Sequence, residues 1–254
     1  VKAAAFELVA PPDFPATLAA LQATPSQPLA GGQSLMAMLN YRVARPPRLV
    51  QLGRPVELFS AEASEDAVTI GATVTHAAIE DGLVPDIGEG ILPTVAGGIA
   101  YRAVRNRGTI GGSLCHADPA ADWVTVLTAL GASVLLVSVR ARRSVSVADF
   151  ITGAYRTALV AGEVLQAVRI PRLQAGAKWA YVKACRKPGA FAHCMAAVLR
   201  QPAGQRRVAV GALGSAPLLM ETSAIENIAR KLPGDDVSKH MAGENLRRAW
   251  ALTD

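Results

Sequence analysis

Two glycine pairs constrain this chain more than any other feature. One lies in Leu29-Ala30-Gly31-Gly32-Gln33-Ser34 and the other in Arg107-Gly108-Thr109-Ile110-Gly111-Gly112-Ser113. Each follows a segment that reads as a strand and leads into helical spacing, so each is expected to be a loop. Glycine has no Cβ and tolerates positive φ, so such a loop exposes successive main-chain N–H groups and admits a ligand at close range. One nest of this kind holds a phosphate. Two nests brought together by the fold would suit the pyrophosphate of a dinucleotide. Hydroxyls accompany both pairs: Ser34 and Ser113 follow, and Thr109 precedes the second. Neither segment is a Walker A loop, because no Gly-Lys-Ser/Thr follows, and neither is a Gly-x-Gly-x-x-Gly fingerprint. A third pair, Gly97-Gly98, lacks this context and reads as a turn.

The chain has 254 residues and is 51% apolar, enough for a sizeable core and more than one subdomain. Its longest apolar stretches, such as 132–137, are too short to span a bilayer. The first residues lack a long apolar run and meet Pro11-Pro12 early, so no signal peptide is expected. Cys115, Cys185 and Cys194 are too widely spaced for a disulfide framework and fit a reducing cytoplasm. They also fall short of the four ligands that a typical [2Fe–2S] cluster requires. The net charge is +6, but aromatic residues are sparse beside the basic groups Arg102, Arg105, Arg107 and Arg140, Arg142, Arg143. That pattern fits solvated faces, a subunit contact or a field attracting an anion better than a nucleic-acid platform.

Periodicity gives a small β-α-β-α-β unit first. Strands are expected at 4–9, 28–30 and 49–52, a helix capped by Asp13 runs to 21 with Pro15 in its first turn, and a second helix covers 34–41. A strand at 67–71 and helices at 75–80 and 87–96 come next, Pro93 arguing against continuity in the latter. Asp118-Pro119 has the order of a helix cap and a first-turn proline, predicting a helix to about 130. Strands follow at 132–137, 143–147 and 164–170. After a boundary at 171–176, segments 180–185, 191–199 and 206–213 read as an antiparallel sheet, with helices at 221–230 and 239–252. The expected class is α+β, in three pieces: 1–60, 61–175 and 176–254.

The two motifs carry a resemblance. Ala30-Gly31-Gly32-Gln33-Ser34-Leu35, with Asn40 and Arg42, resembles the first FAD-binding motif of the medium subunit of molybdenum hydroxylases, the xanthine dehydrogenase and carbon monoxide dehydrogenase group. The run from Arg105 through Thr109-Ile110-Gly111-Gly112-Ser113-Leu114-Cys115-His116-Ala117-Asp118 to Asp122 is similar to its second motif almost letter for letter. Gly153-Ala154-Tyr155-Arg156-Thr157 with Glu163-Val164-Leu165 resembles a third segment, and 208–213 with Pro217 resembles the start of the family's C-terminal domain. The likeness covers residues 1 to about 220.

The resemblance implies a PCMH-type fold: an N-terminal α/β piece, a central antiparallel α+β piece and a C-terminal sheet with helices, FAD lying between the first two. It places the pyrophosphate on Ala30, Gly31, Gly32, Gln33, Ser34 and Leu35 and on Thr109, Ile110, Gly111, Gly112 and Ser113. Asp122 would bond a ribose or neighbouring polar group, Leu165 would touch the flavin ring, and Ile99 or Tyr101 would sit near the adenine. The segment from Lys183 to Ala192 resembles the loop that covers the isoalloxazine, with Phe191 against the ring. Family members commonly carry an acidic residue where Ala190 stands. Its absence removes a negative charge near the flavin. A plain strand-entry turn is the alternative there. His116 adjoins the second motif and has both a cofactor-binding and a structural reading. Asp118 belongs to the same motif and reads as a helix cap before it reads as a base. No paired acid/base arrangement stands out, His76 and His116 lack metal-ligand spacing with Cys115, and Ser34 has no Gly-x-Ser-x-Gly context. The resemblance therefore implies an electron relay with no catalytic acid or base and no metal of its own. Molybdopterin would sit on a large partner subunit and two [2Fe–2S] clusters on a small one, in a cytoplasmic dimer of heterotrimers that passes electrons to an external acceptor. The alternatives are a stand-alone flavin oxidoreductase of the same fold and a flavin-free scaffold.

Overall fold

The computed structural model describes residues 2–220 except 23, 24, 54 and 203. The helices expected at 221–230 and 239–252 lie outside the described residues. The first unit is β1 (Glu7–Val9), α1 (Phe14–Gln22), β2 (Ser26–Leu29), α2 (Leu35–Asn40) and β3 (Arg48–Gln51). Its strands run parallel in the order β1-β3-β2. Parallel neighbours need crossover connections, and the two helices supply them. Asp13 caps α1 as expected, its Oδ1 accepting the Ala16 N–H at 2.8 Å. Phe14, Leu18 and Leu21 of α1 bury against Val50, Leu52 and Leu58, and also against Val137 and Val164 of the next unit.

That unit comprises α3 (Val56–Phe59), β4 (Ala61–Ala63), β5 (Ala67–Gly71), α4 (His76–Glu80), α5 (Ile91–Gly97), α6 (Arg102–Arg105), α7 (Ile110–His116), α8 (Asp122–Leu130), β6 (Ser133–Val137), β7 (Arg142–Ser146), α9 (Val147–Phe150), β8 (Ile151–Gly153), β9 (Arg156–Thr157) and β10 (Val164–Pro171). Five of its strands form an antiparallel sheet in the order β4-β5-β10-β6-β7, and β8 pairs with β9 alone. A third sheet is the antiparallel meander β11 (Lys178–Ala184), β12 (Cys194–Arg200), β13 (Arg206–Gly211) and β14 (Leu218–Met220). Every residue of α8 is buried, because the helix packs on β12 and β13 as well as on β10. A helix covered on all sides needs apolar side chains around most of its circumference, and α8 carries Trp123, Val124, Val126 and Leu127, with Asp122, Thr125 and Thr128 buried among them. One core therefore runs from Val68 and Ile70 of β5 through α8 to Ala197, Leu199 and Ala209 of the third sheet.

Three local expectations change. The helix expected from Asp118 starts at Asp122. Asp118 instead closes a turn, its Oδ1 accepting from Ala120 N–H and its carbonyl from Ala121 N–H, both at 2.9 Å. The helix expected at 87–96 begins only at Ile91, because Gly88, Glu89 and Gly90 all have positive φ. Pro93 is tolerated in its first turn, where no N–H acceptor is needed. The segment before the second glycine pair is the helical turn α6 rather than a strand, and Gly111-Gly112 belong to the first turn of α7 rather than to a loop.

Candidate cofactor-binding cleft

Gly31 and the Arg107–Gly108 backbone meet. A methyl group added at Gly31 would lie 1.9 Å from the Arg107 carbonyl oxygen, so the first glycine loop rests directly on the main chain of the second segment. The two motifs, far apart in sequence, thus form one end of a single cleft of about 560 Å³. That volume falls within the roughly 300–1,000 Å³ usual for cofactor sites.

The two segments differ in what they offer. In the second, the amides of residues 110–113 each have an internal acceptor. Ile110 N–H donates to Val74 O, Gly111 N–H to Ala72 O, and Ser113 N–H to Thr109 O, while Gly112 N–H donates to Thr109 Oγ1 at 3.0 Å. Gly111 is small for packing: a Cβ there would come within 2.5 Å of the Ala72 Cβ. The expectation of two equivalent nests is corrected on this point. The start of α7 is anchored to the end of β5, which consumes its donors. In the first segment, Gly31, Gly32, Gln33, Ser34 and Leu35 have no protein acceptor for their N–H groups among the described residues. Leu35 begins α2, whose first amides have no partner within the helix.

The structure brings most of the expected residues together. Ala30, Gly31, Gly32, Gln33, Ser34 and Leu35 line the cleft, as do Thr109, Gly111, Gly112, Ser113, His116, Asp118, Asp122, Ile99, Leu165 and Phe191. Three do not reach its wall. Ile110 is fully buried in the core. Tyr101 is exposed with the Lys187 ammonium 5.8 Å from its ring centre. Lys183 turns to the Asp122 carboxylate at 2.8 Å and the Gly98 carbonyl at 3.0 Å. Gly189 and Ala190 line the mouth beside Phe191, and Ile99 forms a parallel bridge with Gly189 that brings this loop to the cleft.

Among the described residues no lysine or arginine lines the cleft, whereas Asp118, Asp122 and Glu163 do; Arg107 lines the smaller neighbouring pocket that Leu29–Gln33 also border. Two of these carboxylates are neutralised from behind. Asp122 and Lys183 form a buried ion pair, and the Tyr181 hydroxyl donates to the same Asp122 oxygen at 2.7 Å. Burial, reinforced by that carboxylate, holds the Tyr181 phenol well above its ordinary range. Arg143 donates twice to Glu163 at 2.7 Å and keeps it below the usual carboxylate range. Arg102 and Arg105 of the basic group pair with Glu80 and Asp81. Any anion held here meets amides, hydroxyls and the imidazoles of His76 and His116. His116 is expected here; His76, which lacks metal-ligand spacing, is not. Nothing in one dimension marks it except its place directly after Thr75, whose side chain caps α4.

Over residues 4–173 the chain matches the family described as the FAD binding domain in molybdopterin dehydrogenase. The chain belongs to that family. This FAD-binding chain is 32% identical over 253 residues to the caffeine dehydrogenase subunit beta of Pseudomonas sp. (strain CBB1), covering 94% of this chain and 85% of that protein. It is 35% identical over 227 residues to the glyceraldehyde dehydrogenase medium chain of Sulfolobus acidocaldarius, covering 86% and 79%. Its fold superposes with a TM-score of 0.86 and 29% identity on a chain of carbon monoxide dehydrogenase from Hydrogenophaga pseudoflava, over 99% of both. It is an oxidoreductase flavoprotein subunit with the α+β PCMH-type fold. The residues present fit FAD. Five consecutive open amides suit phosphate oxygens, and the apolar wall of Leu29, Leu35, Met38 and Leu165 suits a ring system. Among the described residues no group of His, Cys, Asp and Glu is arranged to hold a metal ion, and no helix is long and apolar enough to cross a membrane.

Proposed function

We propose that FAD occupies this cleft with its pyrophosphate against the open amides of residues 31–35, and that the chain serves as the electron relay of a larger assembly. The observation that carries the reading is the contact between the two glycine segments, which leaves five unpartnered N–H groups at one end of a cleft of suitable size. Ser34 and Ser113 add hydroxyl donors there, and Thr109 holds the turn that positions Ser113. Leu165 offers the flavin ring an apolar contact, Ile99 lies on the adenine side, and Phe191 with Ala190 borders the mouth. Asp122, His116 and Asp118 supply polar groups along the wall. Lys183 acts through Asp122, whose carboxylate it orients.

Bound FAD supplies the chemistry of taking up and releasing electrons singly or in pairs; the chain contributes position and electrostatics. The relatives named as a subunit and a medium chain support a place in a larger assembly; we read that assembly as a cytoplasmic dimer of heterotrimers in which a large subunit carries molybdopterin and a small one carries the [2Fe–2S] clusters. In it, electrons would pass from the partner's clusters through this chain to an external acceptor. Relatives that act on caffeine, glyceraldehyde and carbon monoxide share this chain type, which is consistent with substrate choice residing on another polypeptide. Among the described residues the three larger sheets favour a division near residues 60 and 175, with α3 packed on the second sheet; we read the units as 1–60, 61–175 and 176–254.

The test is FAD titration of the deflavinated full chain, followed by absorbance and fluorescence. A carboxylate about 4 Å from a phosphate costs up to about 4 kcal/mol at an effective dielectric constant near 20. Solvent screening lowers that value, so Ser34→Asp and Ser113→Asp are each expected to weaken FAD binding at least about tenfold. A chain that stays colourless after reconstitution, or unchanged affinity in both variants, would overturn the assignment.

A further inference from the structure

His76 sits where the two glycine segments touch. Its main-chain N–H donates to the Gly108 carbonyl at 2.9 Å, and its ring lies under Gly108, where an added Cβ would be 3.0 Å from Nε2. The residue is 6% exposed and lines the cleft. Trp123 Nε1–H donates to His76 Nδ1 at 3.1 Å. An indole nitrogen only donates, so Nδ1 carries no proton, and in a neutral imidazole the proton must then be on Nε2. Burial, with the Arg105 guanidinium nearby, lowers the His76 pKa to about 4, so the neutral form prevails near neutrality. No group among the described residues accepts the Nε2–H, yet Nε2 is not among the atoms sealed from the surface.

A buried polar N–H without an acceptor is costly, and native structures rarely leave one unmet. His76 lines the cleft, and among the described residues no protein group meets its Nε2–H. The need is mutual. The amides at 110–113 are spent inside the fold, and among the described residues no lysine or arginine lines the cleft. We propose that His76 is a binding residue for the dinucleotide: its Nε2–H donates to a phosphate oxygen at the junction of the glycine segments, in the tautomer that Trp123 holds. The proposal rests on the reading that FAD occupies this cleft. It adds a neutral side-chain donor on the α4 side of the pyrophosphate, opposite the open amides of residues 31–35, and it makes Trp123 a positioning residue.

FAD is titrated into the deflavinated full chain, with flavin fluorescence as the readout. If the unaltered chain does not bind FAD, the assignment of the cleft fails first, and this inference fails with it. If it does bind, His76→Leu is expected to weaken FAD about 10- to 100-fold, the usual worth of a hydrogen bond to a charged group, while His76→Gln, which keeps an N–H donor, recovers most of the affinity. A second measurement needs no substitution. In the chain carrying isotopically labelled histidine, nuclear magnetic resonance is expected to show His76 protonated on Nε2, with that proton moving downfield when FAD is added. Unchanged FAD affinity in His76→Leu, a proton on Nδ1, or an Nε2–H resonance indifferent to FAD would each overturn the proposal.

Discussion

Gly31 has no side chain because the Arg107 carbonyl leaves no room for one. The prediction at this scale is direct. Gly31→Ala must push apart the two segments whose contact shapes the cleft. FAD affinity is expected to fall at least tenfold, and overpacking of this kind costs about 1–3 kcal/mol in stability. Calorimetry and fluorescence titration of one preparation measure both, and wild-type values in each would show that the contact is dispensable. Gly111 carries the same letter for another reason, its close approach to Ala72. Both glycines stood out in the sequence. That one faces a ligand site and the other a strand end was not legible, because Ala72 and Arg107 approach them only through the fold. His76 was legible still less: its partner Trp123 is distant in sequence, and neither residue carries a local signal.

At the scale of elements, capping shows how far local chemistry reaches. Asp13 and Asp118 present the same cue, an aspartate followed within two residues by proline. Asp13 starts a helix, while Asp118 closes a turn and hands the helix start to Asp122. An aspartate that bonds an amide two or three residues on stabilises a turn and a helix start alike, so tertiary packing makes the choice. At Asp122 the choice yields the ion pair with Lys183, which joins α8 to β11 with side chains only 6% and 10% exposed. Removing one partner of such a pair leaves a buried charge and typically costs about 3–5 kcal/mol. Lys183→Met is therefore expected to destabilise the chain by roughly 3 kcal/mol or more, and Lys183→Met with Asp122→Leu to regain part of it. Urea unfolding measures both. A single variant as stable as the wild type would remove the pair from the account of how β11 is held.

For the whole molecule, the decisive object is α8, wrapped by β10 on one side and β12 and β13 on the other. The third sheet thus completes the core of the second unit, sharing with it Ala197, Leu199 and Ala209. A chain ending at residue 176 would uncover one face of α8, and exposed apolar patches of that kind drive association. It is expected to be insoluble, or to lack a cooperative thermal transition and bind FAD poorly. A soluble, cooperatively melting fragment with full FAD affinity would show the second unit to be self-sufficient. Sequence periodicity located most strands and helices of the described residues, because alternation and helical spacing follow from backbone geometry alone. Together with the two glycine motifs it also pointed to the family to which the chain belongs. The availability of donors was settled elsewhere. The amides at 110–113 find acceptors in Val74, Ala72 and Thr109, whereas those at 31–35 find none. A hydrogen-bond donor is open or spent according to what the fold sets opposite it, and for Ile110 and Gly111 that is a strand end remote in the chain. The sequence by itself therefore determined the elements and the family, and the tertiary structure alone decided which glycine segment keeps its amides free.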